Sequence, residues 1–252
     1  MSKLNQYDLL LIRRRLPKLV IKALQSKGIK AFVAGGFIRS NVAHEICTDV
    51  DLFVPTIEMA DQLVNSIRAG KEHDRFNYVK TENAITLYDT FKALPPIQVI
   101  TRWFFDKPED LVTAFDFTVC QAAVWWEGDV TEEGKPFGNW LSLVSDTFYQ
   151  DLAAKRLVYT SRTPLRDGEA GGSLLRVLKY YRRGYTIPIT DLGLVLARIC
   201  KGIKEDQWGD LYKNEELLGR VFGGLLREVD PLVDPDHIIK EEGEEEAVTN
   251  GS

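Results

Sequence analysis

Cysteine and histidine are scarce in this chain, with three of each among 252 residues, and each scarcity removes a class of chemistry. Cys47, Cys120 and Cys200 are odd in number, widely separated and outside any C-x-x-C arrangement. That argues against a disulfide framework and a structural zinc site, and for small buried side chains. His44, His73 and His237 are scattered, so neither a histidine metal cluster nor a histidine-based triad is indicated. No apolar run approaches the ~20 residues that span a bilayer. Residues 1–15 lack the apolar core and cleavage site of a signal peptide. These absences imply a soluble protein with a cytoplasmic location and no membrane partner. No internal repeat is found.

What is present is a hydrophobic content of 44%, enough to bury a proper core in one domain or two small ones. The formal net charge of −5 is unevenly placed, because residues 240–252 hold five Glu against one Lys and carry −4 of it. Without that acidic tail the chain is nearly neutral. Residues 153–184 hold eight Lys or Arg (Lys155, Arg156, Arg162, Arg166, Arg176, Lys179, Arg182, Arg183) against Asp167 and Glu169. Such a segment can face phosphates or form an ordinary solvated helix face.

Hydrophobic spacing predicts a helix over 5–27, bent or divided at Pro17 and stopped by Gly28. A short buried strand over 31–34 and a helix over 37–44 follow, then a strand around 49–53, a helix over 56–69, and strands at 77–79, 84–88 and 97–100. Residues 107–114 read as a short helix, 117–126 as a strand or helix, and 129–139 as a turn-rich excursion. From about 141 onward no convincing strand appears except around 157–159. Helical spacing covers 174–181, 191–204, 215–222 and 225–229. The fold class is therefore α+β. The expected boundaries are a mixed α/β domain over 1–140, a helical domain over 141–239 and a disordered acidic tail over 240–252.

Two motifs carry chemistry. Gly35-Gly36, directly after a strand, lets the backbone turn sharply and approach a ligand closely. The helix that follows turns its first N–H groups toward an anion, with Arg39 as a charged donor. Asp49 and Asp51, two apart on a strand, point to the same face, while Val50 and Leu52 point to the other. Co-facial carboxylates repel unless a cation lies between them, and hard oxygen ligands suit Mg2+ or Mn2+. Alone, a D-x-D pair is usually a solvated or capping pair, but together the two motifs describe a metal-nucleotide site. Trp125, Trp126, Trp140 and Phe137 can stack bases, though in a mixed core such residues pack. Tyr180 and Tyr181 beside Arg182 and Arg183 divide in the same way between a stacking patch and half-buried scaffold.

These motifs resemble the nucleotidyltransferase superfamily that includes DNA polymerase beta. Within it, the resemblance is to the head and neck of bacterial-type CCA-adding tRNA nucleotidyltransferases and poly(A) polymerases, and to a short phage-type member. The family's first motif, Gly-Gly-x-Val-Arg-Asp followed by Asp-x-Asp, is matched by Gly35, Gly36, Arg39, Asp49 and Asp51, with Ser40 in place of the acid after the Arg. Phe115-Asp116-Phe117-Thr118-Val119-Cys120-Gln121-Ala122 resembles its Arg-Arg-Asp-Phe-Thr-x-Asn-Ala element, with Asp116 and Thr118 matching. Ala114 and Phe115 replace its two arginines and Gln121 its Asn. Leu175-Arg176-Val177-Leu178-Lys179-Tyr180-Tyr181-Arg182 resembles the neck helix, whose one face would present Arg176, Lys179 and Arg182. The resemblance spans roughly residues 25–190.

The departures are as informative. Gly172 and Ser173 stand where the family's Glu-Asp-x-x-Arg places the two acids that read the incoming base, so discrimination of C and A is expected to suffer. Gln98 stands where the third metal-site carboxylate is expected, and its carbonyl oxygen can coordinate but cannot act as a base. Asp89 or Asp116 are the candidate replacements. About sixty residues follow the neck-like helices where the family has body and tail domains.

The resemblance implies a polymerase beta-like head followed by a smaller helical domain. It implies an Mg2+- or Mn2+-dependent nucleotidyltransferase that moves NMP from an NTP such as ATP to a hydroxyl. The expected acceptor is a tRNA-like RNA 3′ end, and a protein hydroxyl is a further candidate. Asp49 and Asp51 would be the catalytic, metal-binding pair. Gly35, Gly36, Arg39, Asp116, Thr118, Arg176, Lys179 and Arg182 would bind nucleotide. The alternative is a catalytically silent form of the fold that binds a nucleotide, a nucleic acid or a protein.

Overall fold

The computed structural model describes residues 1–69, 75–160, 171–203, 208–211 and 213–227. The chain divides into two compact units, Met1–Arg156 and Leu157–Ser252.

The first unit opens with the helix pair that Pro17 divides, α1 (Gln6–Arg15) and α2 (Lys18–Leu24). Asn5 caps α1 by accepting the Asp8 amide at 2.8 Å, the usual remedy for an orphan N–H at a helix start. Beyond α2 the chain turns at Gly28 with φ +77° and enters β1 (Phe32–Ala34), α3 (Gly36–Val42) and β2 (Val50–Phe53). α4 (Ile57–Ile67) is capped by Thr56, and its apolar spacing buries Ala60, Leu63, Val64 and Ile67. It packs on β5 and α2. Then come β3 (Phe76–Lys80), β4 (Ala84–Asp89), β5 (Ile97–Ile100), α5 (Pro108–Ala114) and a 3-10 turn at Thr118–Cys120. The unit closes with β6 (Ala122–Val130), β7 (Pro136–Val144) and α6 (Phe148–Ala153).

The seven strands form one sheet in the order β3-β4-β5-β2-β1-β6-β7. Only β2 and β5 run parallel, and every other neighbouring pair is antiparallel. The sheet is mixed, and helices flank it. Side-chain alternation sorts its faces. Phe32, Ala34, Phe53 and Ala123 form a buried cluster with Leu111 and Val112 of α5, joined at its margin by Ile100, Phe105, Phe115 and Trp125. Val33, Val50, Leu52 and Val99 point the other way and are equally buried.

One expectation from the sequence is overturned. Residues 129–139 are not a turn-rich excursion but the outer half of the β6–β7 hairpin, whose register runs from Ala122↔Val144 to Val130↔Pro136. β7 continues past residue 140, so the expected boundary there falls inside a strand. Gly128 faces Gly138 across the ladder, and a Cβ on either would collide with the opposite backbone.

The second unit, in its described part, is helical. α7 spans Gly172–Tyr181, α8 Ile189–Lys201, α9 Trp208–Leu211 and α10 Glu215–Arg227. Residues 157–159 belong to none of the sheet's strands, and the Leu157 amide instead donates to the Thr186 carbonyl at 2.7 Å. The segments expected at 215–222 and 225–229 are one helix as far as it is described. Arg162, Arg166, Asp167, Glu169 and the acidic tail lie outside the described residues. No helix among the described residues is long and apolar enough to cross a membrane.

Candidate functional site

The site is built where β1, β2 and β5 lie side by side. Gly35 ends β1 and caps α3 at φ +70° and ψ −127°, a conformation that L side chains rarely adopt. Its amide is already used, donating to the Ala122 carbonyl at 3.0 Å. A Cβ added at Gly35 would stand 2.9 Å from the Phe115 ring, whereas one at Gly36 would meet nothing within 4 Å. The turn is thus packed on its Gly35 side and open on its Gly36 side. Phe115 also meets Phe53 edge to face, with centroids 5.8 Å apart at 84°.

Asp49 immediately precedes β2 and Asp51 lies within it, and both are half-buried. Alternation turns them to the side that also carries Phe53. The parallel register sets Asp51 opposite Gln98 of β5. Cys47 reports on the local field. Its thiol donates to the Asp49 carbonyl at 3.1 Å. Burial above all pushes this thiol up from its ordinary value. The hydrogen bond to the Asp49 backbone and the charge of Arg39 oppose that, while the carboxylates of Asp49 and Asp51 reinforce it. The thiol therefore stays protonated and is no nucleophile here.

Several residues read from the sequence as ligand contacts have structural partners instead. Arg39, expected to reach a phosphate, is 2% exposed. Its Nη2 donates to Ser40 Oγ at 2.8 Å, and its Nε lies 3.7 Å from Glu45. Lys155 approaches the other oxygen of Glu45 at 3.8 Å. Thr118, expected beside the nucleotide, is buried and donates its hydroxyl to Asp151 at 2.7 Å. Asp151 is in turn gripped by Arg156. Gln121, at the family's Asn position, donates to the Phe115 carbonyl at 2.9 Å and so fixes the loop that carries that ring. Asp116 is half-buried just before the 3-10 turn.

Asp89, a candidate third carboxylate, is committed elsewhere. It pairs with Arg75 at 3.1 Å and accepts the amides of Phe91, Ala93 and Leu94. The Arg75 guanidinium holds its carboxyl below the ordinary value, with the loop amides adding to that effect. Among the described residues no three His, Cys, Asp or Glu side chains converge. The oxygen donors that remain together are the two carboxylates and the Gln98 amide oxygen. The Glu45 group was not anticipated, and the one sequence signal for it is an acid in the loop between α3 and β2, four residues before Asp49. An open cavity of about 350 Å3 is lined in part by Arg15, Phe37, Asn41, His44, Glu45 and Cys47.

In the second unit, α7 turns Val177 and Tyr180 inward and leaves Arg176, Lys179 and Arg182 exposed at successive three-residue steps. The expected basic row therefore exists on this helix.

A solved CCA-adding enzyme in complex with ATP matches with a TM-score of 0.55 at 18% identity, covering 90% of this chain and 50% of that one. A CCA-adding enzyme in complex with CTP matches with a TM-score of 0.53 at 16% identity, covering 98% and 56%. The chain thus spans about half the length of these enzymes and shares the nucleotidyltransferase fold with them. No curated protein matches it by sequence. A family profile described as Gabija anti-defense 2 family protein matches residues 10–155.

Proposed function

The chain belongs to the Gabija anti-defense 2 family, and from that premise we propose that it is a metal-dependent nucleotidyltransferase whose product serves the counter-defence for which the family is named. The observation that carries this reading is the register of Asp51 opposite Gln98, with Asp49 two residues before Asp51, and a glycine turn open at Gly36 after the neighbouring strand β1. The donor set fits Mg2+ or Mn2+, since two carboxylates and an amide carbonyl are hard oxygen ligands. When bound, the metal would neutralise charge on the triphosphate of the incoming NTP.

The chain's own residues do the rest. Gly36 lets the triphosphate approach backbone closely. In the transfer, the acceptor hydroxyl oxygen bonds to the α-phosphorus, the bond to the β-phosphate oxygen breaks, and pyrophosphate and a proton leave. Gln98 is neutral and cannot take that proton, so this site relies on positioning and charge neutralisation. The acceptor favoured here is an RNA 3′ end, supported by the exposed basic row on α7. Purified protein given labelled NTP, Mg2+ and an RNA panel should label RNA, and Asp49→Ala with Asp51→Ala should abolish it. Unchanged labelling in the double variant sinks the assignment, and label found on protein moves the acceptor to a protein hydroxyl.

A second reading, a silent fold that binds without turnover, is favoured by the fate of Arg39 and Thr118. Thr118 donates to Asp151, and Arg39 is buried and donates to Ser40. Calorimetric NTP binding with no transfer across the panel selects it.

A further inference from the structure

The beginning of α7 is a buried helix end without a side-chain cap. Gly171 occupies the cap position and so offers no side chain to the first-turn amides, and that turn carries no acidic residue. The first intrahelical bond runs from the Leu175 amide to the Gly171 carbonyl, so the amides of Gly172, Ser173 and Leu174 precede the helical ladder and have no partner within it. Gly172 and Ser173 are buried. Independently, Ser173 is 1% exposed and its Oγ has no hydrogen-bond partner among the described residues. A buried hydroxyl left unsatisfied is costly, and the aligned amides of a ten-residue helix present the positive end of its dipole.

We propose that this end of α7 is a binding site for a phosphate group, made by the amides of Gly172, Ser173 and Leu174 together with the Ser173 hydroxyl. Oriented backbone donors and a helix N-terminus favour an anion, and a serine hydroxyl adds a directional donor. Arg176, three residues on and exposed, brings positive charge to the same side of the helix. A carboxylate at position 173 would repel an anion held there. The chemistry is that of a phosphate or phosphate ester, from a nucleotide or from a nucleic-acid backbone. The site is independent of transfer at Asp49 and Asp51.

The test is an amide-resolved NMR titration of the full chain with inorganic phosphate, without divalent cations. The Gly172, Ser173 and Leu174 amides should shift saturably, and equally in the Asp49→Ala, Asp51→Ala variant. Ser173→Asp should abolish the shifts. Ser173→Ala keeps the amides and loses the hydroxyl, and should weaken binding about fivefold, the worth of one hydrogen bond near 1 kcal/mol; it also serves if the Asp variant fails to fold. Displacement of phosphate by ATP assigns the site to the nucleotide, and displacement by an oligoribonucleotide assigns it to the acceptor. Displacement by neither leaves free phosphate as the ligand. Shifts confined to Gly35 and Gly36, or unchanged affinity in Ser173→Ala, overturn the proposal.

Discussion

Asp51 and Gln98 stand opposite one another across the parallel β2–β5 pair, so the amide of Gln98 lies beside the carboxylate face of the D-x-D motif. An acid at that position would give the site a third charge and a group able to accept a proton. Gln98→Glu is nearly isosteric, and in the proposed enzyme it should raise the rate of label transfer, by tenfold for each 1.4 kcal/mol of added transition-state stabilisation. Single-turnover labelling at saturating Mg2+ measures this. A variant that binds NTP normally but remains without turnover favours the silent fold.

The contact between Gly35 and Phe115 makes a second prediction. At φ +70° any side chain is strained, by about 1–3 kcal/mol, and here the added Cβ would also press on the Phe115 ring. Gly35→Ala should therefore lower the melting temperature and weaken NTP binding together. Adding Phe115→Ala removes the steric part but not the backbone part, so the double variant should recover only some of the binding lost. Full recovery in calorimetry would assign the whole effect to the ring.

The glycine turn and the paired acids were legible in the sequence because they are local. Two glycines after a buried strand, and acids at a spacing of two, keep their meaning whatever surrounds them. The place of Gln98 was legible for the same reason, since alternation fixes which residues of a strand share a face. Thr118 was not legible, because its hydroxyl goes to an acid brought in by folding, Asp151, and Arg39 was not, because burial and a hydrogen bond to Ser40 decide where it points. The outer hairpin was missed because its strands are exposed on both faces there. Without an apolar alternation, Gly138 reads as a turn residue, whereas the small size of Gly128 and Gly138 lets two backbones meet.

Asp89 and Arg75 make the stability of the first unit depend on pH. The folded carboxyl is held below its ordinary value of 3.8, chiefly by Arg75. Its contribution is therefore complete above that value, where the unfolded chain is also ionised, and is lost as pH falls through the lower folded value. Asp89→Asn should cost roughly 2 kcal/mol at neutral pH, the scale of hydrogen bonds to a charged group. The gap between wild type and variant in denaturant midpoint should then narrow below pH 3.8. A gap that stays constant into acid would mean that the ionised carboxylate is not what closes the β4–β5 loop.

Thr118 separates a packing role from a ligand role. Its hydroxyl donates to Asp151, which is fully buried and also held by Arg156, so the three side chains tie the 3-10 turn to α6. Thr118→Val keeps the shape and removes the donor, leaving one Asp151 oxygen unsatisfied at a cost of about 1–3 kcal/mol. That corresponds to a fall in melting temperature of roughly 2–4 °C per kcal/mol in a domain of this size. NTP affinity, measured well below the melting temperature, should stay within twofold of wild type, because the hydroxyl faces Asp151. Asp151→Asn should behave alike and more severely, since it weakens the Arg156 grip as well. Lost affinity with an unchanged melting temperature in Thr118→Val would instead return this residue to the nucleotide site.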